Sequence, residues 1–320
     1  MKQTLVIRRL LLMLFVYAGL AVLVILLSLA LSVCVDTLDK ATNLSGAFLG
    51  GVLLAAVTSL PELFTSLAAV AFLNEPQMVV GNILGSNLFN LAALAAVSLL
   101  LFRRVYSQSA AREQRLPLMA VLLIYALLAI LTVRFNIYFA GLNIVSWLIF
   151  LLYALGVRSL SAEDEDASES AEADAGRLLI RFAGLAALLV LTSIALTLVT
   201  EQLKLAYDLE TSLAGALFLG VATSLPELVS TIQLVRLGNF NAACGNILGS
   251  NLFNFSILAL SDLLYTAGTI YIFDEQAYRL LALGALAVAS MLPVLYARRG
   301  RWKLLGFCLA LLCYAVFLLI

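Results

Sequence analysis

The sequence predicts an all-α integral membrane protein of ten transmembrane helices, arranged as two inverted five-helix repeats. Of its 320 residues, 63% are hydrophobic and 12% are charged, and the mean hydropathy is +1.08. Soluble domains carry about a quarter charged residues. Ten apolar stretches each approach the ~20 residues that one membrane span needs. Two short polar strings also occur twice, once in each half of the chain.

Short polar connections separate the apolar stretches. The first run follows a basic start and is too long for a signal-peptide core of about 7–15 residues, so it is predicted as a span. The longest connection carries seven acidic residues and is predicted to be a solvated cytoplasmic linker, with weak cation capture as an alternative role. It separates a first repeat, 1–158, from a second, 178–320. The predicted spans are 10–33, 46–73, 78–102, 116–133, 137–157, 178–200, 211–235, 241–265, 276–297 and 303–320, and the linker is 159–177.

The odd number of spans in each half sets the predicted topology. After five spans the chain lies on the opposite side of the bilayer, so the second repeat is inverted. Transporters built from inverted repeats typically place their site at the midplane between the halves. Thirteen of the nineteen basic residues lie on the side of the linker, which predicts that side as cytoplasmic and both termini as outside. The basic N-terminal tip favours the other orientation.

The string TSLPEL occurs at 58–63 and at 223–228. Proline removes a backbone donor and clashes with the carbonyl four residues back, so each helix should break there. Within a bilayer, freed carbonyls persist where they line a cavity. Glu62 and Glu227 are the carboxylates well inside predicted spans, whereas Asp262 is expected to reach water. Intramembrane carboxylates are costly and usually functional. The alternative, an internal salt bridge, has no basic partner deep in any span.

The string GNILGSNLFN occurs at 81–90 and at 245–254. Its glycines are four residues apart, a spacing that lets helix backbones approach closely. Its serine and last asparagine are also four apart and share one helix face. These pairs, Ser86 with Asn90 and Ser250 with Asn254, would supply neutral oxygens. The remaining asparagines are expected to bond neighbouring helices or the opened backbone, with ion ligation as the alternative. They are Asn82, Asn87, Asn246 and Asn251.

Two carboxylates with neutral oxygens suit hard cations such as Ca²⁺, Mn²⁺ and Na⁺. One Ca²⁺ or two Na⁺ would neutralise the pair. A proton is a further occupant, because two close like charges disfavour full ionisation. The chain has no histidine, which excludes histidine metal sites and bases, and its balanced charge gives no basic field for nucleic acid. The four cysteines are interpreted as small hydrophobes. We expect no enzyme and no resident cofactor, and a cation channel stays as an alternative.

At these two strings the chain resembles the calcium/cation antiporter superfamily, which includes the sodium/calcium exchangers. The resemblance implies exchange of Ca²⁺ for Na⁺ by alternating access, with the first and sixth spans sliding past the others. It also implies Glu62 and Glu227 as ligands shared by Ca²⁺ and Na⁺. The other implied ligands are Thr58, Ser59, Thr223, Ser224, Ser86, Asn90, Ser250 and Asn254.

The chain departs from the family pattern at four positions. Val57 and Ala222 stand where the family often has glycine. Some members have aspartate at one of the positions that match Asn90 and Asn254, and here both are asparagine. The histidine-containing signature of the proton-coupled branch is absent, which favours Na⁺ over H⁺ coupling, with H⁺ or Mn²⁺ exchange as the alternatives. Short loops favour a prokaryotic inner membrane, and no protein partner is implied.

Overall fold

The computed structural model describes residues 2–41, 46–106, 112–134, 137–160, 172–206, 222–296 and 300–319, and the description below concerns these residues. They form helices joined by short turns, with one two-stranded hairpin. The helices are α1 (Lys2–Ala41), α2 (Gly46–Phe48), α3 (Ala55–Thr58), α4 (Leu60–Ala68), α5 (Pro76–Leu100), α6 (Phe102–Val105), α7 (Arg115–Arg134), α8 (Ile144–Leu160), α9 (Glu172–Ala206), α10 (Leu225–Leu237), α11 (Phe240–Leu264), α12 (Glu275–Ser290), α13 (Leu292–Tyr296) and α14 (Gly300–Leu319). Helical turns of other pitch are the π-helical Leu49–Leu54 and Ala69–Leu73 and the 3₁₀ turn Arg112–Gln114, and the hairpin strands are β1 (Tyr138–Phe139) and β2 (Leu142–Asn143).

Seven helices of the described chain are long and apolar enough to cross a membrane, or eight when the bent pair Leu49–Thr58 and Leu60–Leu73 counts as one span. The all-α membrane class is therefore confirmed. α8 is apolar but has 17 residues. The first part of the predicted seventh span, 211–235, lies outside the described residues. Most of the predicted linker, 159–177, also lies outside them. The count of ten and the inversion of the repeats stay predictions.

The centre of the bundle is formed by α5 and α11, which carry the two GNILGSNLFN strings. The apolar stretch of each is 72% buried, against 39% for α1, 33% for α9 and 22% for α14. α5 and α11 pack against each other, while α1 packs along α9 and α10. The strings that sequence analysis singled out therefore lie in the protein interior, and the longest apolar helices face outward.

A glycine contact joins α11 to the π-helical turn Leu49–Leu54, which precedes the first TSLPEL string. A Cβ on Gly249 would lie 2.0 Å from the carbonyl oxygen of Gly51, and one on Gly50 would lie 2.3 Å from that of Ala242. Only glycine permits this approach of two backbones. At Gly81 and Gly85, in the first copy of the string, an added Cβ would meet no described atom within 4 Å. Close backbone packing is therefore found for the second copy alone among the described residues.

The prediction that Asp262 reaches water is wrong. Its side chain is 3% exposed, and its Oδ2 accepts hydrogen bonds from the Asn143 backbone N–H at 3.0 Å and the Ser146 hydroxyl at 2.7 Å. The β1–β2 hairpin and the start of α8 cover this end of α11. Because these donors lie about 120 residues away in sequence, position within the eighth span could not reveal them.

The opposite end of the bundle holds a polar cluster between α1 and the α10–α11 turn. Asn239 Nδ2 donates to Asp39 Oδ2 at 2.6 Å and to Asp36 Oδ1 at 3.3 Å, and Lys40 Nζ lies 2.6 Å from Asp36 Oδ2. Gly238 takes a left-handed conformation with φ 84° in this turn, as a glycine at a helix C-terminus commonly does. The cluster fixes the end of α1 against the start of α11.

Candidate cation-binding site

The helix that carries the first TSLPEL string is interrupted at Ser59. This residue has φ −89° and ψ 6°, and the segments before and after it are bent by 41°. Pro61 is the second residue of α4, where a missing N–H removes no helical hydrogen bond. The second string repeats the geometry, because Ser224 has φ −92° and ψ 11° and α10 begins at the next residue. Proline thus starts a new helical segment in each copy.

Glu62 and Glu227 lie in the first turns of α4 and α10, and each is 1% exposed. The positive end of a helix dipole favours a carboxylate there. Neither glutamate pairs with a lysine or arginine within the described part of the chain. Each carboxylate bonds a serine that lies three residues before the other glutamate, so the two carboxylates belong to one site. The site therefore concentrates negative charge without a cationic side chain to balance it.

Each glutamate is held by a serine from the other copy of the string. The Ser224 hydroxyl donates to Glu62 Oε1 at 3.0 Å, and the Ser59 hydroxyl donates to Glu227 Oε1 at 3.1 Å. The hydroxyl of Thr223 also lies against the Glu62 carboxylate, and that of Thr58 lies against Glu227. The two strings therefore build one site with crossed contacts.

The first asparagine of each GNILGSNLFN string bonds the opened helix beside it. Asn82 Nδ2 lies 3.4 Å from the Glu62 backbone carbonyl and 3.0 Å from the Ser66 hydroxyl. This confirms the predicted contact with the TSLPEL backbone. Ser66 was not among the predicted site residues, although it lies four residues after Glu62 on the same helix face. In the second copy, Asn246 Nδ2 lies 3.5 Å from the Glu227 carbonyl and 3.3 Å from Thr231 Oγ1.

The other asparagines link α5 to α11 in reciprocal pairs. Asn87 Nδ2 donates to the Asn251 carbonyl at 3.3 Å, and Asn251 Nδ2 donates to the Asn87 carbonyl at 3.1 Å. Asn90 Nδ2 donates to Asn251 Oδ1 at 3.1 Å, and Asn254 Nδ2 donates to Asn87 Oδ1 at 2.9 Å. The amide nitrogens of Asn90 and Asn254 are therefore fixed, which leaves their oxygens available.

Several buried oxygens of the site have no hydrogen-bond partner. Buried polar atoms are nearly always paired, so a concentration of unpaired oxygens requires an explanation. All of them are acceptors that a hard cation would coordinate. Among the ten predicted residues the unpaired oxygens are Glu62 Oε2, Glu227 Oε2, Asn90 Oδ1, Asn254 Oδ1 and Ser250 Oγ, and the neighbouring Asn246 Oδ1 is unpaired as well.

Seven of the ten predicted residues form the contacts around the two carboxylates. Ser86 joins them because its hydroxyl lies 3.3 Å from that of Ser224. Asn90 lies one turn beyond Ser86 on α5, and Asn254 is tied to the same helix through Asn87. Ser250 is fully buried one turn before Asn254, without a hydrogen bond to the other nine.

Comparison with known proteins gives a consistent family relationship. The model of the family described as sodium/calcium exchanger protein matches residues 12–156 and 177–320. The inner membrane protein YrbG of Escherichia coli (strain K12) is 30% identical over 235 residues, which is 69% of each chain. The sodium/calcium exchanger MaX1 of Methanosarcina acetivorans is 50% identical over 52 residues, 16% of this chain and 15% of MaX1.

A solved structure shares the fold. The sodium-calcium exchanger NCX_Mj, soaked with 2.5 mM Na⁺ and 0.1 mM Sr²⁺, matches with a TM-score of 0.72 at 20% identity, covering 96% of this chain and 98% of that chain. At that identity the likeness concerns architecture. Because the family model covers nearly all of both halves, and YrbG matches across more than two thirds of each chain, this chain belongs to the sodium/calcium exchanger protein family.

Proposed function

We propose that this protein is a secondary antiporter that exchanges Ca²⁺ for Na⁺ at a site between Glu62 and Glu227. The observation that carries the proposal is the pair of buried carboxylates, each bonded through one oxygen to the opposite string and each with its other oxygen unpaired. Membership of the sodium/calcium exchanger protein family supports it, as does the similarity to the sodium/calcium exchangers MaX1 and NCX_Mj.

The charge of the site gives a physical reason for exchange. When both glutamates are ionised they carry about −2, and leaving that charge uncompensated in a low-dielectric interior is strongly unfavourable. One Ca²⁺ neutralises it, and so do two Na⁺. A carrier that changes conformation readily only when this charge is neutralised returns with one ion after releasing the other. Competition for the same oxygens then couples the two fluxes.

The proposed ligands are the ten residues predicted from the sequence. Ca²⁺ takes six to eight oxygens. The two free carboxylate oxygens and the free amide oxygens of Asn90 and Asn254 would be joined by hydroxyl or carbonyl oxygens of the TSLPEL breaks and by Ser86 and Ser250. The proposed topology is ten spans in two inverted repeats, with both termini outside, in a prokaryotic inner membrane. Alternating access would come from α1 and α9, which pack together at the lipid-facing side of the bundle.

The decisive experiment is Ca²⁺ flux in proteoliposomes loaded with Na⁺ and held at one pH on both sides. We expect an outward Na⁺ gradient to drive uptake of radioactive Ca²⁺, and dissipation of that gradient to stop it. Uptake that needs a pH gradient and ignores Na⁺ would replace this proposal with Ca²⁺/H⁺ exchange. Ca²⁺ current without any counter-ion gradient would indicate a channel. Preferential uptake of Mn²⁺ over Ca²⁺ would reassign the substrate.

Variants of the carboxylates test the site itself. Glu62→Gln and Glu227→Gln each remove half of the site charge while keeping side-chain shape, so each should abolish Ca²⁺ uptake without unfolding the protein. Glu275→Gln is the matched control, because that glutamate is exposed and pairs with Arg279 outside the site. Near-normal uptake by either site variant would refute the assignment of these ligands.

A further inference from the structure

A groove lies away from the cation-binding site, at the end of the bundle where α7 and α14 begin and α13 ends. Its volume is about 580 Å³, and its lining residues are Met119, Leu292, Pro293, Tyr296 and Trp302. This volume is within the range of small-molecule sites. Met119, Tyr296 and Trp302 are 44 to 48% exposed, so the groove opens sideways from the bundle. This partly apolar surface is accessible from outside the bundle.

Two arginines stand over the aromatic side chains of this groove. The guanidinium carbon of Arg115 lies 4.4 Å from the centroid of the Tyr296 ring, and that of Arg301 lies 5.6 Å from the Trp302 ring. Arg115 Nε is buried without a hydrogen-bond partner. Neither arginine has a carboxylate partner in the described ranges. Among the described residues, the groove thus combines an apolar wall with two cationic groups that form no ion pair with a carboxylate.

The surroundings strengthen the positive charge. Arg103, Arg104 and Arg112 are exposed on the segments just before α7, and Glu113 is a half-buried acidic residue among them. Lys303 in the first turn of α14 lies 3.5 Å from the Tyr106 carbonyl, so these segments and the groove belong to one end of the molecule. Tyrosine and tryptophan are also enriched where membrane proteins meet the lipid headgroups.

We propose that this groove binds an anionic phospholipid. Its acyl chain would lie along Met119, Leu292 and Pro293, and its phosphate would be held by Arg115 and Arg301. Guanidinium groups bind phosphate through paired charge-assisted hydrogen bonds, and basic pockets between transmembrane helices bind acidic headgroups. A neutral lipid would fill the apolar part but would leave both arginines without an anion. The proposal does not depend on which ions the protein exchanges.

Trp302 provides a direct probe of the groove. The chain has two tryptophans, and Trp147 lies beside the β1–β2 hairpin, with its indole N–H bonded to Phe139. The variant Trp147→Phe therefore isolates the fluorescence of Trp302. We would reconstitute it in phosphatidylcholine vesicles containing a minor fraction of brominated phosphatidylglycerol or of brominated phosphatidylcholine, and measure quenching by each. We expect the anionic lipid to associate at least about tenfold more strongly, since two arginines contact its phosphate.

Substitution of the arginines should remove this preference. In the same background, the double variant Arg115→Gln with Arg301→Gln should make the two brominated lipids quench equally. If the double variant does not fold, Arg301→Gln alone replaces it, and this substitution of an exposed residue should reduce the preference. Arg279→Gln, an exposed arginine outside the groove, should leave the preference intact. Inorganic phosphate should not relieve the quenching.

Each of four other results would overturn the proposal. Equal quenching before substitution would mean that the groove takes neutral lipid. Preference retained in the double variant would place the headgroup elsewhere. Loss of preference in Arg279→Gln would indicate general surface charge, and relief by inorganic phosphate would indicate a site for free anions.

Discussion

Gly249→Ala tests the close contact between α11 and the helix that leads to the first TSLPEL break. The added Cβ would lie 2.0 Å from the Gly51 carbonyl oxygen, 2.6 Å from its carbonyl carbon and 2.7 Å from its Cα. All three are backbone atoms, so no side-chain rotation relieves the clash. Moving from 2.0 Å to the 3.4 Å of an ordinary contact requires a shift of about 1.4 Å. Overpacking of this kind costs about 3 kcal/mol.

The assay measures the thermal midpoint of the detergent-solubilised protein. Samples are heated at one fixed rate, and size-exclusion chromatography then gives the folded fraction that remains. A loss of about 3 kcal/mol should lower the midpoint by roughly 5–10 °C. Ca²⁺ uptake should fall as well, because Gly51 lies two helical turns before Thr58. The control is Gly184→Ala on the exposed face of α9, where a Cβ meets no described atom within 4 Å. It should raise stability by about 0.5–1 kcal/mol. A Gly249→Ala protein as stable as the parent would refute the contact.

Three further substitutions test other contacts of the structure. Asn90→Asp adds a carboxylate beside the two glutamates and should shift ion preference or add proton dependence, so an unchanged pH profile of uptake would remove this residue from the site. Asn246→Leu removes the donor to the Glu227 carbonyl and should cut uptake severalfold at unchanged expression, whereas normal uptake would mean that this hydrogen bond is dispensable. Asp262→Ala removes the acceptor of two buried hydrogen bonds and should lower the free energy of unfolding by about 2–4 kcal/mol. A thermal midpoint equal to that of the parent would contradict that role.

The helix breaks and the buried glutamates of the polar strings could be predicted from the sequence, because both depend on residues that are close together in the chain. Pro61 indicates a broken helix, and Glu62 within an apolar stretch indicates a functional group. The interruption itself falls two residues earlier, at Ser59, because proline is accommodated in the first turn of the new helix. The π-helical turns Leu49–Leu54 and Ala69–Leu73 were not predicted, since one extra residue in a turn leaves no periodic signal in a continuous apolar run.

Contacts between distant segments were beyond the sequence. The prediction that Asn87 and Asn251 bond neighbouring helices is confirmed in kind, but that they bond each other depends on how α5 crosses α11. The prediction for Asp262 was wrong for the same reason, because its burial depends on a hairpin from the other half of the chain. The identity of the ions stays a prediction, since the same oxygens suit several hard cations.

The crossed hydrogen bonds between the serines and the glutamates have a consequence for the origin of the molecule. A contact in which Ser59 bonds Glu227 while Ser224 bonds Glu62 is the pattern that a two-fold axis produces in a homodimer, where each subunit supplies the same patch. Under the predicted plan of two five-helix repeats, an ancestral repeat that paired with its own copy would have possessed both halves of this pocket before gene fusion. After fusion the halves could diverge nearly everywhere, but losing either serine would strip a donor from a carboxylate encoded in the other half.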